Sequence, residues 1–68
     1  METLKKMRKS HNYSHKDMAE KLGISKTFYW QIENEKRRLS YNMAIKIAEI
    51  FKTTPDKIFY NEFKNKVN

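Results

Sequence analysis

Apolar residues recur at spacings of three and four along most of the chain, which is the pattern of amphipathic α-helices. This periodicity predicts five helices. The first covers about residues 3–11, the second follows Ser14, the third covers about residues 26–33, the fourth follows Ser40 and the fifth begins with Thr54 and Pro55. The residues expected to face the core are Leu4, Met7, Met18, Ala19, Leu22, Tyr29, Ile32, Ala44, Ile47, Ala48 and Phe51, and the fifth helix contains Ile58 and Phe59.

Polar residues mark where the predicted helices begin. Ser14 and Asp17 have the S-x-x-D spacing of a capping box, in which each side chain accepts a hydrogen bond from the other's backbone N–H. Ser40 is expected to cap the fourth helix in the same way. Thr54 is expected to cap the fifth, with Pro55 at the first helical position, where a missing N–H costs nothing. The chain is therefore predicted to be all-α.

The turn between the second and third helices holds Gly23, the single glycine of the chain. A glycine at the end of a helix favours a backbone with positive φ, and Ser25 then stands where it can cap the next helix. Two short helices joined by one tight turn form a helix-turn-helix, here over residues 15–33. The second helix of that motif enters the major groove of DNA.

The chain resembles the Xre/Cro/CI-like helix-turn-helix family over about residues 2–60. Leu4 to Arg8 is similar to the first helix of the family, and Glu33 to Arg37 resembles its Glu-Asn-Gly-Lys-Arg loop. The resemblance implies one compact, five-helix, lambda-repressor-like DNA-binding domain over residues 1–68. The residues that match the signature of the family are Ala19, Gly23, Ile24, Ser25, Ile32 and Glu33.

Composition agrees with a single small domain that binds a polyanion. The chain has 68 residues, no cysteine, a net charge of +7 and a pI near 9.8. The lack of cysteine excludes disulfides and cysteine-based metal sites, and the excess of Lys and Arg favours nucleic acid. No apolar run reaches membrane-spanning length, and no signal peptide is visible, so a cytoplasmic protein is expected.

The outward face of the third helix carries side chains suited to reading DNA bases. Lysine suits guanine, glutamine suits adenine, and the threonine methyl suits thymine. The family resemblance implies base contacts for Lys26, Thr27 and Gln31. Trp30 lies on the same face, where it either contacts a thymine methyl or sugar or packs half-buried against the protein.

Two residues on the helix-turn-helix are expected at the DNA backbone. His15 stands at the first position of the second helix, where the family commonly has glutamine and where free N–H groups favour a phosphate. Phe28 is expected against the sugar-phosphate wall or the second helix.

The loop after the third helix holds the densest basic run of the chain, Lys36, Arg37 and Arg38. These residues are expected to bind phosphates, with Asn34 adding a hydrogen bond. Glu35 replaces the glycine of the family loop, which usually has positive φ. The sequence therefore predicts either a different turn or a left-handed Asn34.

The resemblance also implies an ion pair between Arg8 and Glu33 that ties the first helix to the end of the third. A buried pair adds little net stability, so its expected role is orientation. No catalytic or metal-binding constellation is present in the sequence. We therefore expect no enzymatic activity, no cofactor, no metal and no small-molecule ligand.

Two functions from different classes fit these features. The first is a sequence-specific transcriptional regulator of double-stranded DNA, acting as a repressor. The alternative is a protein-interaction module whose helix-turn-helix no longer reads DNA, because the aromatic run Phe28-Tyr29-Trp30 is unusual and aromatics favour protein interfaces.

A homodimer on an inverted-repeat operator is expected, since one short helix reads only a few base pairs. The alternative is that the fifth helix covers the flank of the fourth within one subunit. The tail, residues 61–68, either extends the fifth helix or frays. The apolar residues left for a dimer interface are Met43, Ile50, Phe59, Tyr60 and Phe63.

Overall fold

The computed structural model describes residues 1–60, and within them five helices and no strand are present. The all-α, five-helix prediction is confirmed. The first helix begins and ends one residue earlier than predicted. The elements are α1 (Glu2–Ser10), α2 (His15–Leu22), α3 (Lys26–Glu33), α4 (Tyr41–Ile50) and α5, which begins at Pro55 and is described over residues 55–60.

Serine hydroxyls begin three of the helices, as their positions predict. The Ser14 hydroxyl accepts the Asp17 N–H at 3.0 Å, and the Asp17 carboxylate accepts the Ser14 N–H at 2.9 Å. That backbone hydrogen bond holds the pKa of the Asp17 carboxyl below its ordinary value. The hydroxyls of Ser25 and Ser40 each accept the N–H three residues later, at 3.0 and 3.1 Å. Each bond satisfies a donor that the first turn of a helix leaves without a partner.

The first four helices end in the same way, with a residue of positive φ. The φ values are 59° at Asn12, 70° at Gly23, 58° at Glu35 and 54° at Lys52. In each case the next residue's N–H bonds to the carbonyl five positions back, at 3.1, 3.0, 2.7 and 3.0 Å. This is the Schellman motif, which favours glycine but occurs here with glycine only once.

The loop after α3 corrects one expectation. Asn34 has a φ of −99°, so the prediction of a left-handed Asn34 is wrong, and Glu35 itself takes the left-handed conformation. That conformation costs a non-glycine residue roughly 1–2 kcal/mol. The closing hydrogen bond from the Lys36 N–H to the Gln31 carbonyl offsets part of this cost.

The core lies where the helices meet, and it places α3 against α2. Met43 and Ile50 are partly buried against the core from the flank of α4. None of the helices in residues 1–60 combines the length and the apolar character that crossing a membrane needs. The buried apolar residues are Leu4, Met18, Ala19, Leu22, Tyr29, Ile32, Leu39, Ala44, Ile47, Ala48, Phe51, Ile58 and Phe59.

Candidate nucleic-acid interface

Helix α3 has two faces of different character. Tyr29 and Ile32 point inward and are 0% and 1% exposed, as their spacing predicts. Three side chains of the opposite face are exposed, and Gln31 at its edge is partly exposed. The exposed three, Lys26, Thr27 and Trp30, line a shallow groove of about 270 Å³. The structure thus brings the four predicted base-reading residues to one surface.

Trp30 is 44% exposed, so it is not a core residue. Its backbone carbonyl accepts a hydrogen bond from the Asn34 side-chain nitrogen at 2.9 Å. The amide that was expected to reach a phosphate therefore caps the end of α3 in this structure.

A buried polar network braces the inner side of α3. The Arg8 guanidinium donates from Nε and Nη2 to the two Glu33 carboxylate oxygens, at 2.8 and 2.9 Å. Its Nη1 donates to the Tyr13 carbonyl at 2.9 Å, and the Tyr29 hydroxyl donates to Glu33 Oε2 at 2.6 Å. The pair expected between Arg8 and Glu33 is therefore formed, and it fixes the end of α3 against α1.

The network sets the charge states of its members. Burial by itself raises the pKa of the Glu33 carboxyl, but hydrogen bonds from Arg8 and Tyr29 outweigh it, and the pKa ends below its ordinary value. The hydrogen bond to Glu33 raises the pKa of Arg8. Burial raises the pKa of the Tyr29 hydroxyl, which therefore stays protonated and donates. Glu33 is consequently an anion held by fixed donors at neutral pH.

His15 lies at the first position of α2, beside the end of α3. Its side chain is 30% exposed, and its Nε2 atom is 3.5 Å from the Glu33 carboxylate. Its ring centroid is 6.0 Å from that of Tyr29. Because Nε2 faces Glu33, a phosphate contact in this orientation would use Nδ1.

The basic loop folds back over α3 through Arg37. The Arg37 Nε donates to the Gln31 side-chain oxygen at 3.1 Å, and its guanidinium carbon lies 4.6 Å from the centre of the half-buried Phe28 ring. Lys36 and Arg38 are exposed. Sequence reasoning placed all three cations at phosphates and missed the contact between Arg37 and Gln31, for which the sequence contains no periodic signal.

The residues assigned to a dimer interface differ in their exposure. Phe59 is 0% exposed, so its assignment to an interface is wrong, because it fills the core of the subunit. Tyr60 is 57% exposed, whereas Met43 and Ile50 are partly covered. Phe63 and the tail prediction lie outside the described residues. Within residues 1–60, no cluster of side chains could hold a metal ion.

Comparison with known proteins identifies the family of the chain. A family described as a helix-turn-helix domain matches residues 1–63. The chain therefore belongs to the helix-turn-helix domain family, and the predicted resemblance is confirmed. It is also 39% identical, over 59 residues, to an uncharacterized HTH-type transcriptional regulator of Methanocaldococcus jannaschii, covering 87% of this chain and 89% of the relative. No solved structure matches the chain.

Proposed function

We propose that the protein is a sequence-specific regulator of transcription that binds double-stranded DNA and acts as a repressor. The observation that carries the proposal is the outward face of α3, where Lys26, Thr27, Trp30 and Gln31 stand together on a helix braced from behind. An α-helix fits the major groove, where each base pair presents its own pattern of donors and acceptors. The relative named as a transcriptional regulator supports the same class.

The flanks of this face suit the phosphate backbone. Lys36 and Arg38 are exposed directly after α3, and His15 opens α2 beside the end of α3. Cations that contact phosphates fix the register of a protein on DNA without reading sequence. The net charge of +7 adds long-range attraction to a polyanion. In this proposal the phosphate contacts beside α3 provide affinity for DNA, and the outward face of α3 provides sequence specificity.

A repressor of this kind acts by occupying its site in the cytoplasm and blocking access to it. One helix of eight residues contacts few base pairs, so we propose that two copies bind an inverted repeat. Their contact would involve Tyr60 and the partly exposed flank of α4 that carries Met43 and Ile50.

Selection of bound sequences from a random duplex pool tests the proposal. The expected product is an inverted repeat whose half-sites lie about 34–36 Å apart, or a multiple of that spacing. Affinity for the selected duplex should fall steeply with salt, because bound phosphates release counterions. Selection that enriches no sequence would contradict specific regulation. Sedimentation of the complex would contradict the dimer if one chain bound a single half-site.

A second candidate, a protein-interaction module, is favoured by the 44% exposed Trp30 alone. Aromatic side chains are enriched in protein interfaces. The two functions differ in their response to Trp30→Ala and Arg38→Ala. A DNA reader loses duplex affinity in both variants, whereas an interaction module that does not use DNA shows no duplex binding to lose.

A further inference from the structure

Three side chains from α3 and the following loop form a cluster at the edge of the outward face of α3. The Arg37 guanidinium bonds to the Gln31 side-chain oxygen through Nε at 3.1 Å and lies over the Phe28 ring, with 4.6 Å from its carbon to the ring centre. We call Phe28, Gln31 and Arg37 the reading cluster. Arg37 therefore does not extend freely toward the solvent as a simple phosphate ligand would.

We propose that Arg37 is a specificity-determining residue, which fixes the amide of Gln31 and makes guanine, rather than adenine, the base that this cluster reads. The inference rests on the proposed function, because it concerns which base α3 selects in the major groove. It assigns Arg37 a role different from that of the exposed cations beside it, Lys36 and Arg38.

The first step of the argument is the orientation of the amide. A guanidinium has five N–H donors and no acceptor, so the Gln31 atom that faces Arg37 must be the carbonyl oxygen. The side-chain nitrogen of Gln31 then points away from Arg37. No other residue within 1–60 makes a hydrogen bond to that nitrogen, so its two N–H donors remain for a ligand.

The second step is the anchoring of the loop. The Lys36 backbone N–H donates to the Gln31 backbone carbonyl at 2.7 Å, so the chain just before Arg37 is tied to the same residue as its side chain. Stacking on Phe28 restricts the plane of the guanidinium. Two bonds to one residue and one stacked ring give the cluster a preformed geometry, which reduces the entropy lost on binding.

The third step is the pattern that the cluster presents. A free glutamine reads adenine by accepting from N6 while donating to N7, and this needs both its oxygen and its nitrogen. In the cluster, the oxygen is engaged by a cation that would also repel the N6 donor. The remaining polar groups are donors only, namely the Gln31 N–H groups and the Nη groups of Arg37. Guanine offers two acceptors, O6 and N7, and no donor at those positions, so it matches.

The test compares the base preference of variants that keep or lose the planar guanidinium group of Arg37. The preferred duplex is first selected with the wild-type protein, and the guanines of each half-site are then replaced one at a time by adenine. We expect one position at which the wild type prefers guanine by about 5- to 150-fold. Gln31→Ala and Arg37→Lys should each reduce the preference at that same position to less than about threefold.

Arg37→Lys is the informative variant because it keeps the positive charge but cannot donate from a planar fork. If Arg37 only binds phosphate, the Arg37→Lys protein should keep both the base preference and the salt dependence of the wild type. If Arg37 positions Gln31, the salt dependence stays near that of the wild type while base preference is lost. Arg38→Lys is the matched control and should keep the preference. The double variant, Gln31→Ala with Arg37→Lys, should lose no more preference than either single variant.

Two results would overturn the inference while leaving DNA recognition intact. One is a wild-type preference for adenine at the position that responds to Gln31→Ala. The other is full preference for guanine in the Arg37→Lys protein. A wild type that selects no sequence would overturn both this inference and the proposed function. Circular dichroism of each variant checks the fold, which an exposed side chain such as Arg37 should not disturb.

Discussion

Arg8 and Glu33 lie 25 positions apart in the sequence and form a buried, two-pronged ion pair with N–O distances of 2.8 and 2.9 Å. The pair joins the first helix to the last residue of α3. Removing one partner of such a pair leaves an uncompensated buried charge, whereas replacing the whole network by apolar groups is often neutral.

We therefore predict that Arg8→Ala reduces the free energy of unfolding by about 3–5 kcal/mol. Replacing Arg8 by Met, Glu33 by Leu and Tyr29 by Phe together should recover most of that loss, because no buried charge or hydroxyl remains without a partner. Urea denaturation followed by circular dichroism measures both proteins. A triple variant that is less stable than Arg8→Ala would contradict this account.

The stability of the protein should depend on the ionisation of Glu33. Because the folded pKa of Glu33 lies below its unfolded value, its contribution is fully present above the unfolded pKa and is lost as pH falls through the folded pKa. The stability difference between wild type and Glu33→Gln should be largest near neutral pH and should shrink below about pH 4.3, the usual pKa of Glu. The exposed Glu49→Gln serves as control. A difference that stays constant down to pH 3 would refute the prediction.

At the helix ends with positive φ, introducing a glycine should stabilise the fold and removing one should destabilise it. Glu35→Gly and Lys52→Gly relieve left-handed strain and should each raise the free energy of unfolding by up to about 1 kcal/mol, while Gly23→Ala should lower it by about 1–2 kcal/mol. A change of 1 kcal/mol corresponds to roughly 4–8 °C in melting temperature at this size. Lys46→Gly in the middle of α4 should instead cost about 1 kcal/mol. Equal destabilisation by all three glycines would show that the strain is not stored at the helix ends.

Thr27 is expected to contact a thymine methyl. Replacing that thymine by deoxyuridine removes only the methyl and should weaken wild-type binding by about 0.8 kcal/mol, the value of one buried CH₂ group. Thr27→Val keeps the side-chain methyl and should show the same loss, whereas Thr27→Ser should show little. Titration of each of the three proteins with the thymine and the deoxyuridine duplex measures this. An equal loss in the serine variant would assign the contact to another residue.

Lys36 and Arg38 should act on affinity without regard to sequence. Arg38→Ala and Lys36→Ala should each reduce the slope of log affinity against log salt by about one unit, for selected and random duplex alike. Lys57→Ala, which removes an exposed cation on α5, should leave the slope unchanged. An unchanged slope in Arg38→Ala would remove that residue from the phosphate contacts.

The features predicted correctly from sequence are those fixed within a few residues. Ser14, Ser25 and Ser40 cap their helices because each hydroxyl needs only the N–H three positions later. The single glycine was assigned correctly, since a helix end offers it a clear use. The pairing of Arg8 with Glu33 needed the family resemblance, because nothing local brings the two together.

The features missed depend on a turn that the sequence disfavours. Glu35 adopts a left-handed conformation in which glycine would normally be expected, and this turn directs Arg37 back onto Gln31. The sequence groups Phe59 with Tyr60 and Phe63 at an interface, and its burial in the core is not predicted. The burial of Phe59 depends on packing between helices, which the periodicity within one helix does not encode.

The two faces of α3 have a consequence for how the protein can change over evolutionary time. Tyr29 and Glu33 hold the helix in place from inside, while the side chains of Lys26 and Thr27 are exposed. If this face reads DNA as proposed, substitutions on it would redirect the protein to new target sequences while its stability stays nearly constant. Related copies in one genome could then come to bind different sequences without first acquiring compensating mutations. In protein design, the outward residues of α3 could be exchanged together as one set.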